Sequence, residues 1–195
     1  MADSKDAPAP DGAPDDVPGA MFVYDEMVTM IRGAFQALVV GDPTEFATDV
    51  GPVIDHDAQA ALERHVARSA TIGRTIWRAD DDPAFARGSF VLPTIIEIEG
   101  IGHLQRENFG PVLHIAKFKN KDLEKVVDDI NALGYGLTCG LHSRVEATRR
   151  LVESKIKVGN FYVNRNQIGA VVESQPFGGE GLSGTGPKAG GPHYV

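Results

Sequence analysis

Cys139 is the one cysteine in these 195 residues and so the only sulfur nucleophile the sequence offers. Thiol chemistry needs a thiolate on a turn or helix start, where a neighbouring charge lowers the pKa and substrate has access. The run "GLTCGLH" is instead a short apolar strand inside a sheet, which assigns Cys139 to packing. Six histidines are scattered with no HxxxH pair and no companion cysteines, so no metal site is expected. The acidic runs Asp80 to Asp82 and Asp128–Asp129 read as solvated surface.

A second candidate for chemistry is the glycine-rich run "GGEGLSGTG", with glycines at 178, 179, 181, 184 and 186. A phosphate cradle would need a helix after the loop and a Lys-Ser/Thr pair closing it, and neither is present. The remaining reading is a loop whose backbone passes close to other chain or to a ligand.

The elements that must hold these residues follow from periodicity. Met27, Ile31, Ala34 and Leu38 recur at helical spacing over residues 23–39, and "GDP" at 41–43 ends that run. Ala58, Ala61, Leu62, His65, Val66 and Ser69 predict a second helix, with Asp55 as N-cap and Gly73 as its stop. "TIWRA", "FVLPTIIEI" and "PVLHIAKF" read as extended, followed by a helix from about Lys121 to Leu133 with Leu123, Val126, Val127 and Ile130 on one face. "GLTCGLHS", "VEATRRLVESK" and "VGNFYVN" then predict strand, helix and strand. This alternation implies an α/β fold built on a parallel, helix-flanked sheet.

Composition narrows the function classes. A hydrophobic content of 42% supports a packed core, and a formal net charge of −8 without a basic patch argues against a nucleic-acid partner. A single cysteine fits a reducing compartment, and the sequence shows neither a targeting pattern nor an apolar run approaching the roughly 20 residues of a membrane span. A cytoplasmic protein is expected. Residues 1–20, rich in Ala, Pro and Asp, carry −4 of the net charge and read as a disordered acidic tail preceding one domain over residues 21–195.

Four longer motifs carry a resemblance: "TDVGPVIDHDAQAALERHV" at 48–66, "ENFGPVLHIAKF" at 107–118, "NALGYGLTCGLHSR" at 131–144 and "VGNFYVNRNQIGAVVESQPFGGEGLSGTGPKAGGPHYV" at 158–195. Together they resemble the aldehyde dehydrogenase superfamily, in the expected order. The run "NRNQIGAVVESQPFGGEGLSGTGPKAGGP" is specifically similar to the 1-pyrroline-5-carboxylate dehydrogenase domain of the bifunctional bacterial proline utilization A flavoenzymes. The resemblance covers roughly residues 22–195 and implies NAD-dependent oxidation of L-glutamate γ-semialdehyde to glutamate, a step of proline catabolism. In that chemistry a cysteine thiolate attacks the aldehyde, hydride passes to the nicotinamide, and a glutamate-activated water releases the acid. By position, Glu107 and Phe109 match residues that meet the nicotinamide ribose and the ring's surroundings. Gly169 and Ala170 match the loop whose backbone amides take the substrate α-carboxylate, and Phe177 matches the aromatic wall beside the aldehyde chain. Without the resemblance, Glu107 reads as a surface acid, and Phe109 and Phe177 as core aromatics.

The departures from the family pattern are as informative. Its catalytic cysteine belongs shortly before Val23, where this chain has "DGAPDDVPGAMFV"; its general-base glutamate, oxyanion-hole asparagine and nucleotide-binding Rossmann half would lie earlier. The resemblance therefore implies an incomplete catalytic domain with no catalytic residue of its own, inactive alone, whose partner is a separate N-terminal half-enzyme. NAD is the parent family's cofactor, and its binding by this chain alone is expected to be weak. The alternative is a non-catalytic interaction or dimerisation module. In either case the face left by the missing half implies self-association, as a dimer or soluble aggregate.

Overall fold

A computed structural model describes residues 19–170, 174–184 and 186–194, with side chains from residue 23 onward. Residues 1–18 of the expected tail lie outside the described residues, whereas Gly19 and Ala20 already belong to the first helix. The chain divides into two units. The first comprises Met1–Glu97 with Phe109–Lys117, and the second Ile98–Asn108 with Phe118–Val195.

In the first unit, helix α1 (Gly19–Gln36) and helix α2 (His56–Ile72) precede strands β1 (Arg74–Arg78), β2 (Thr94–Glu97) and β3 (Val112–Ile115). Helix α2 starts where its residues predict, because the Asp55 carboxylate accepts from the Ala58 N–H at 2.7 Å and so satisfies one of the unpaired amides of the first turn. It ends where the Gly73 N–H donates to the Ser69 carbonyl at 2.9 Å. Its buried face presents Leu62, Val66 and Ser69, and the core of the unit continues through Val91, Ile95 and Ile96, the last three wholly inaccessible.

The strands are ordered β1-β2-β3. β2 and β3 pair in parallel, Thr94 opposite Val112 and Glu97 opposite Ile115, as expected. β1 corrects the expectation of a uniformly parallel sheet by pairing antiparallel with β2. Residues 79–93 contain only the single 3₁₀ turn Pro83–Arg87, with no α-helix to carry the chain back over the sheet as a parallel crossover does. That turn also gives Asp82 a task beyond solvation, since its carboxylate accepts from the Ala84 N–H at 2.8 Å. β2 is shorter than the apolar run "FVLPTIIEI" because Pro93, which has no N–H for a ladder, falls immediately before it.

At the sheet edge, Arg74 Nε donates to Glu97 Oε2 at 3.0 Å and Lys117 Nζ lies 3.7 Å from Glu97 Oε1. The Arg74 guanidinium holds the Glu97 carboxyl below the usual carboxylate range. A carboxyl with a depressed folded pKa stabilises the fold above its unfolded pKa, near 4, and loses that contribution as pH falls through the folded value. The stability difference between wild type and Arg74→Met is therefore expected at neutral pH and should vanish in acid titrations followed by Trp77 fluorescence. A difference that persists at pH values below the folded pKa would exclude the ion pair as its origin.

The second unit contains helix α3 (Leu123–Ala132), strands β4 (Tyr135–Gly136) and β5 (Thr138–Leu141), helix α4 (Glu146–Lys155), strand β6 (Asn160–Val163) and strand β7 (Glu180–Gly181). β5, α4 and β6 form the expected strand-helix-strand unit: β5 and β6 are parallel, with Thr138 opposite Asn160 and Leu141 opposite Val163. Helices α3 and α4 pack together. Asn131 at the end of α3 donates to the Lys155 carbonyl at 2.9 Å and accepts from the Lys157 N–H at 2.8 Å, which ties the exit of α4 to α3.

The single strand expected over "GLTCGLHS" is two. β4 pairs antiparallel with β7, and β5 pairs with β6. Leu137 lies between the two strands, and Gly136 and Leu137 accept from the Gly159 and Asn160 amides at 3.0 and 3.1 Å. β7 has no signature in the sequence because it is two residues long and half glycine.

Candidate functional site

Strand β6 organises the residues that resemble a substrate site. Its last partner in the ladder is followed by Asn164, the one described non-glycine residue with positive φ, at 55°. Asn tolerates this left-handed conformation better than most residues. Its side chain secures the turn from both sides: Nδ2 donates to the Ser143 carbonyl at 3.0 Å and Oδ1 accepts from the Ser143 N–H at 3.0 Å. The chain leaving β6 is therefore aimed by a bidentate grip on the loop that leaves β5.

Five residues further on lie Gly169 and Ala170, both half-buried. Tyr162 of β6, only 4% exposed, donates its hydroxyl proton to the Gly169 carbonyl at 3.1 Å. The same hydroxyl oxygen accepts from Gln175 Nε2 at 2.7 Å, and the Arg165 guanidinium lies 4.7 Å from the centre of the ring. With its carbonyl engaged, Gly169 has no hydrogen bond from its N–H to any described residue, and neither has Ala170. A Cβ placed at Gly169 would meet no described residue within 4 Å. Two adjacent amides that no described residue engages can accept an anion.

Phe177 is half-buried and held by a two-bond bridge, its N–H donating to the Ala189 carbonyl at 3.0 Å and its carbonyl accepting from the Ala189 N–H at 2.9 Å. Asn160 of β6 anchors the approach to it, donating to the Pro176 carbonyl at 2.9 Å and accepting from the Gly178 N–H at 3.3 Å. Lys188 Nζ donates to the Gly159 carbonyl. The glycine-rich run thus folds back on the start of β6. Gly169, Ala170 and Phe177 are brought to one strand, through Tyr162 and Asn160, two residues that periodicity did not mark as functional. The available signal was the alternation in "NFYVN", which turns Tyr162 and Asn160 to the same face.

Glu107 is exposed, in the second unit, and forms no ion pair with any described residue. Phe109 belongs to the first unit and is 80% exposed, which overturns its reading as a core aromatic. A recess of about 390 Å³ in the second unit is lined by Glu99, His103, Lys125 and Asp129 among others, and by none of the five expected site residues.

Cys139 is half-buried rather than fully enclosed, and burial pushes its thiol up, away from the thiolate. The histidines are less scattered than their sequence positions imply. His65 of α2 and His114 of β3 meet Nε2 to Nε2 at 2.9 Å, so at least one of the two carries the bridging proton. Burial, and then the charge of His65, pushes His114 down towards the neutral form. No third ligand of the His/Cys/Asp/Glu type joins any such cluster among the described residues. Among those residues, too, no helix is long and apolar enough to cross a membrane.

The parallel, helix-crossed strand pair and the glycine-rich return are part of an aldehyde dehydrogenase fold, which solved structures of that fold share over most of this chain. Residues 21–195 match the aldehyde dehydrogenase family, and the chain belongs to it. Within that family the chain is 49% identical over 178 residues to the bifunctional protein PutA of Klebsiella aerogenes, covering 89% of this chain and 14% of that protein. It is 37% identical over 175 residues to the 1-pyrroline-5-carboxylate dehydrogenase of Geobacillus kaustophilus, covering 89% of this chain and 33% of the relative. A solved structure of proline utilization A from Bradyrhizobium japonicum superposes with a TM-score of 0.82 at 49% identity, covering 88% of this chain and 17% of that one. The chain thus spans a third or less of the length of these relatives.

Proposed function

We propose that this chain supplies the substrate-anchoring portion of an NAD-dependent L-glutamate γ-semialdehyde dehydrogenase of proline catabolism. The reaction converts aldehyde, NAD and water into acid, NADH and a proton, the aldehyde hydrogen leaving as hydride. The observation that carries the reading is the pair of amides at Gly169 and Ala170, uncommitted to any described residue, held to the strand whose first residue, Asn160, also secures the backbone on either side of Phe177. These amides hold the substrate α-carboxylate by charge-assisted hydrogen bonds, and Phe177 flanks the aliphatic chain. The resemblance assigns Glu107 and Phe109 to the nicotinamide end of the cofactor, the carboxylate to accept from ribose hydroxyls and the ring to offer apolar surface, and each side chain is exposed in its own unit. NAD supplies the hydride acceptor.

The attacking thiolate and the general base come from residues other than these 195, in a portion that corresponds to the preceding part of the relatives, in the cytoplasm. The relatives' greater length supports this division. L-glutamate, the product, tests the anchoring role without any turnover. It is expected to shift the Gly169 and Ala170 amide resonances of the purified chain, whereas γ-aminobutyrate, which lacks the α-carboxylate, should not. Equal responses to both compounds would remove the carboxylate from the interaction.

Self-association belongs to the same proposal. Phe46, Ile54 and Ile168 are more than 90% exposed, an unusual expense of apolar area for a chain that stays alone in water. Sedimentation at micromolar concentration is expected to show a dimer or larger species, and a single monomeric boundary would count against it.

A further inference from the structure

We infer that the Tyr162 hydroxyl positions the Gly169–Ala170 amides, and so is a positioning residue for the carboxylate-binding loop. This rests on the anchoring role proposed for those two residues. The hydroxyl has one proton and accepts through its oxygen, and both capacities are used: the proton goes to the Gly169 carbonyl at 3.1 Å and the oxygen receives Gln175 Nε2 at 2.7 Å. One buried atom therefore holds the chain at residue 169 and again at residue 175. Binding the Gly169 carbonyl also sets the orientation of the amide that follows it, because that carbonyl and the Ala170 N–H share one planar peptide unit. Fixing the oxygen on the Tyr162 side turns the Ala170 N–H to the opposite side.

The clamp is rigid for reasons visible around it. Tyr162 sits in the ladder opposite Gly140 and is 4% exposed, so its ring has no freedom to follow a moving loop. Arg165 covers the ring at 4.7 Å. The turn that starts the loop is locked independently by the paired bonds between Asn164 and Ser143. Asn164 is thus held by Ser143, and Gly169 and Gln175 by the Tyr162 hydroxyl. Of these, only the Tyr162 bond acts on the peptide unit that carries the Ala170 N–H. Preorganised amides do not have to be ordered when the anion arrives, which is where the gain in affinity lies.

Tyr162→Phe keeps the ring in the core and removes only the hydroxyl, and Gln175→Met removes the bond to that hydroxyl while leaving the bond to Gly169. In the full chain, Tyr162→Phe is expected to lower the ¹⁵N heteronuclear NOE of Ala170, the mark of a looser peptide unit, and to weaken the L-glutamate response of Gly169 and Ala170 by about fivefold, the effect of losing one net hydrogen bond. Amides within β5 and β6 should keep their wild-type exchange, which separates positioning from a general loss of structure. Gln175→Met is expected to have a smaller effect of the same kind. A wild-type Ala170 NOE and a wild-type glutamate response in Tyr162→Phe would overturn the inference and leave the anchoring role standing. A lowered Ala170 NOE in Tyr162→Phe, with no glutamate response even in the wild type, would support the clamp and overturn the anchoring role.

Discussion

Purified chain supplied with NAD and L-glutamate γ-semialdehyde is expected to form no NADH above the protein-free blank, and Cys139→Ser is expected to change nothing. The argument is local. Cys139 lies in β5, opposite Phe161 of β6, with its backbone inside a parallel ladder. The thiol is half-buried, and burial alone moves its pKa, upwards. Reactive cysteines have the opposite surroundings, with a cation, a helix start or a general base that favours the thiolate. Loss of a functioning nucleophile lowers turnover by about six orders of magnitude in enzymes where it has been measured, far below the detection of an absorbance assay. NADH formation by the wild type that disappears in Cys139→Ser would make this thiol the nucleophile after all. Turnover that survives the substitution would place the nucleophile on another side chain of these residues.

The second large effect concerns Gly159→Ala. A Cβ at this position would fall on the carbonyl oxygen of Gly178, deep inside van der Waals contact, with the Gly179 backbone 3.0 Å away. The obstacle is backbone on both counts, so no side-chain rotation can relieve it. Either β6 loses its first residues or the glycine-rich return lifts away from it, taking with it the Asn160 bonds to Pro176 and Gly178. A destabilisation of about 3 kcal/mol is expected, at the upper end for one inserted methyl because the surroundings cannot repack. Gly186→Ala is the control. A Cβ there meets nothing within 4 Å, and the change should stay within about 0.5 kcal/mol. Urea titrations followed by circular dichroism, with amide exchange in β5 and β6, would measure both. Equal midpoints for the two variants would show that Gly159 and Gly178 do not approach one another.

The same close approach answers why the end of the sequence is so poor in side chains. A Cβ at Gly178 would crowd Lys188, one at Gly179 or Gly184 would run into the run's own backbone at Ser183 and Gly179, and Gly181 has φ of 60°, a conformation in which glycine carries no steric cost. The run is a packing device that presents backbone to backbone. It follows Phe177 and is tied through Asn160 to the start of β6, the strand whose chain leads on to Gly169 and Ala170. Glycine there serves the positioning of the candidate site as much as any contact with a ligand.

What the sequence determined by itself is what a dozen neighbouring residues decide. Helix α2 begins at Asp55 and ends at Gly73 because a carboxylate one turn from an amide, and a stop after the last apolar repeat, are local facts. The parallel pair β5 and β6 around α4 is legible for the same reason, since a strand, a helix and a strand in succession have few ways to pack. Tertiary structure decided the rest. It split "GLTCGLHS" between two sheets, because the partners of β4 and β5 lie more than twenty residues downstream and neither leaves a mark in the apolar run itself. It turned β1 antiparallel, brought His65 to His114 across 49 positions, and exposed Phe109, whose sequence alone could not distinguish a core ring from a bare one. Most consequentially, it joined Tyr162 to Gly169 and Gln175. Each of these depends on which distant backbone arrives beside a residue, and hydrogen bonds and contacts that close over such distances follow from the packed fold and not from local pattern.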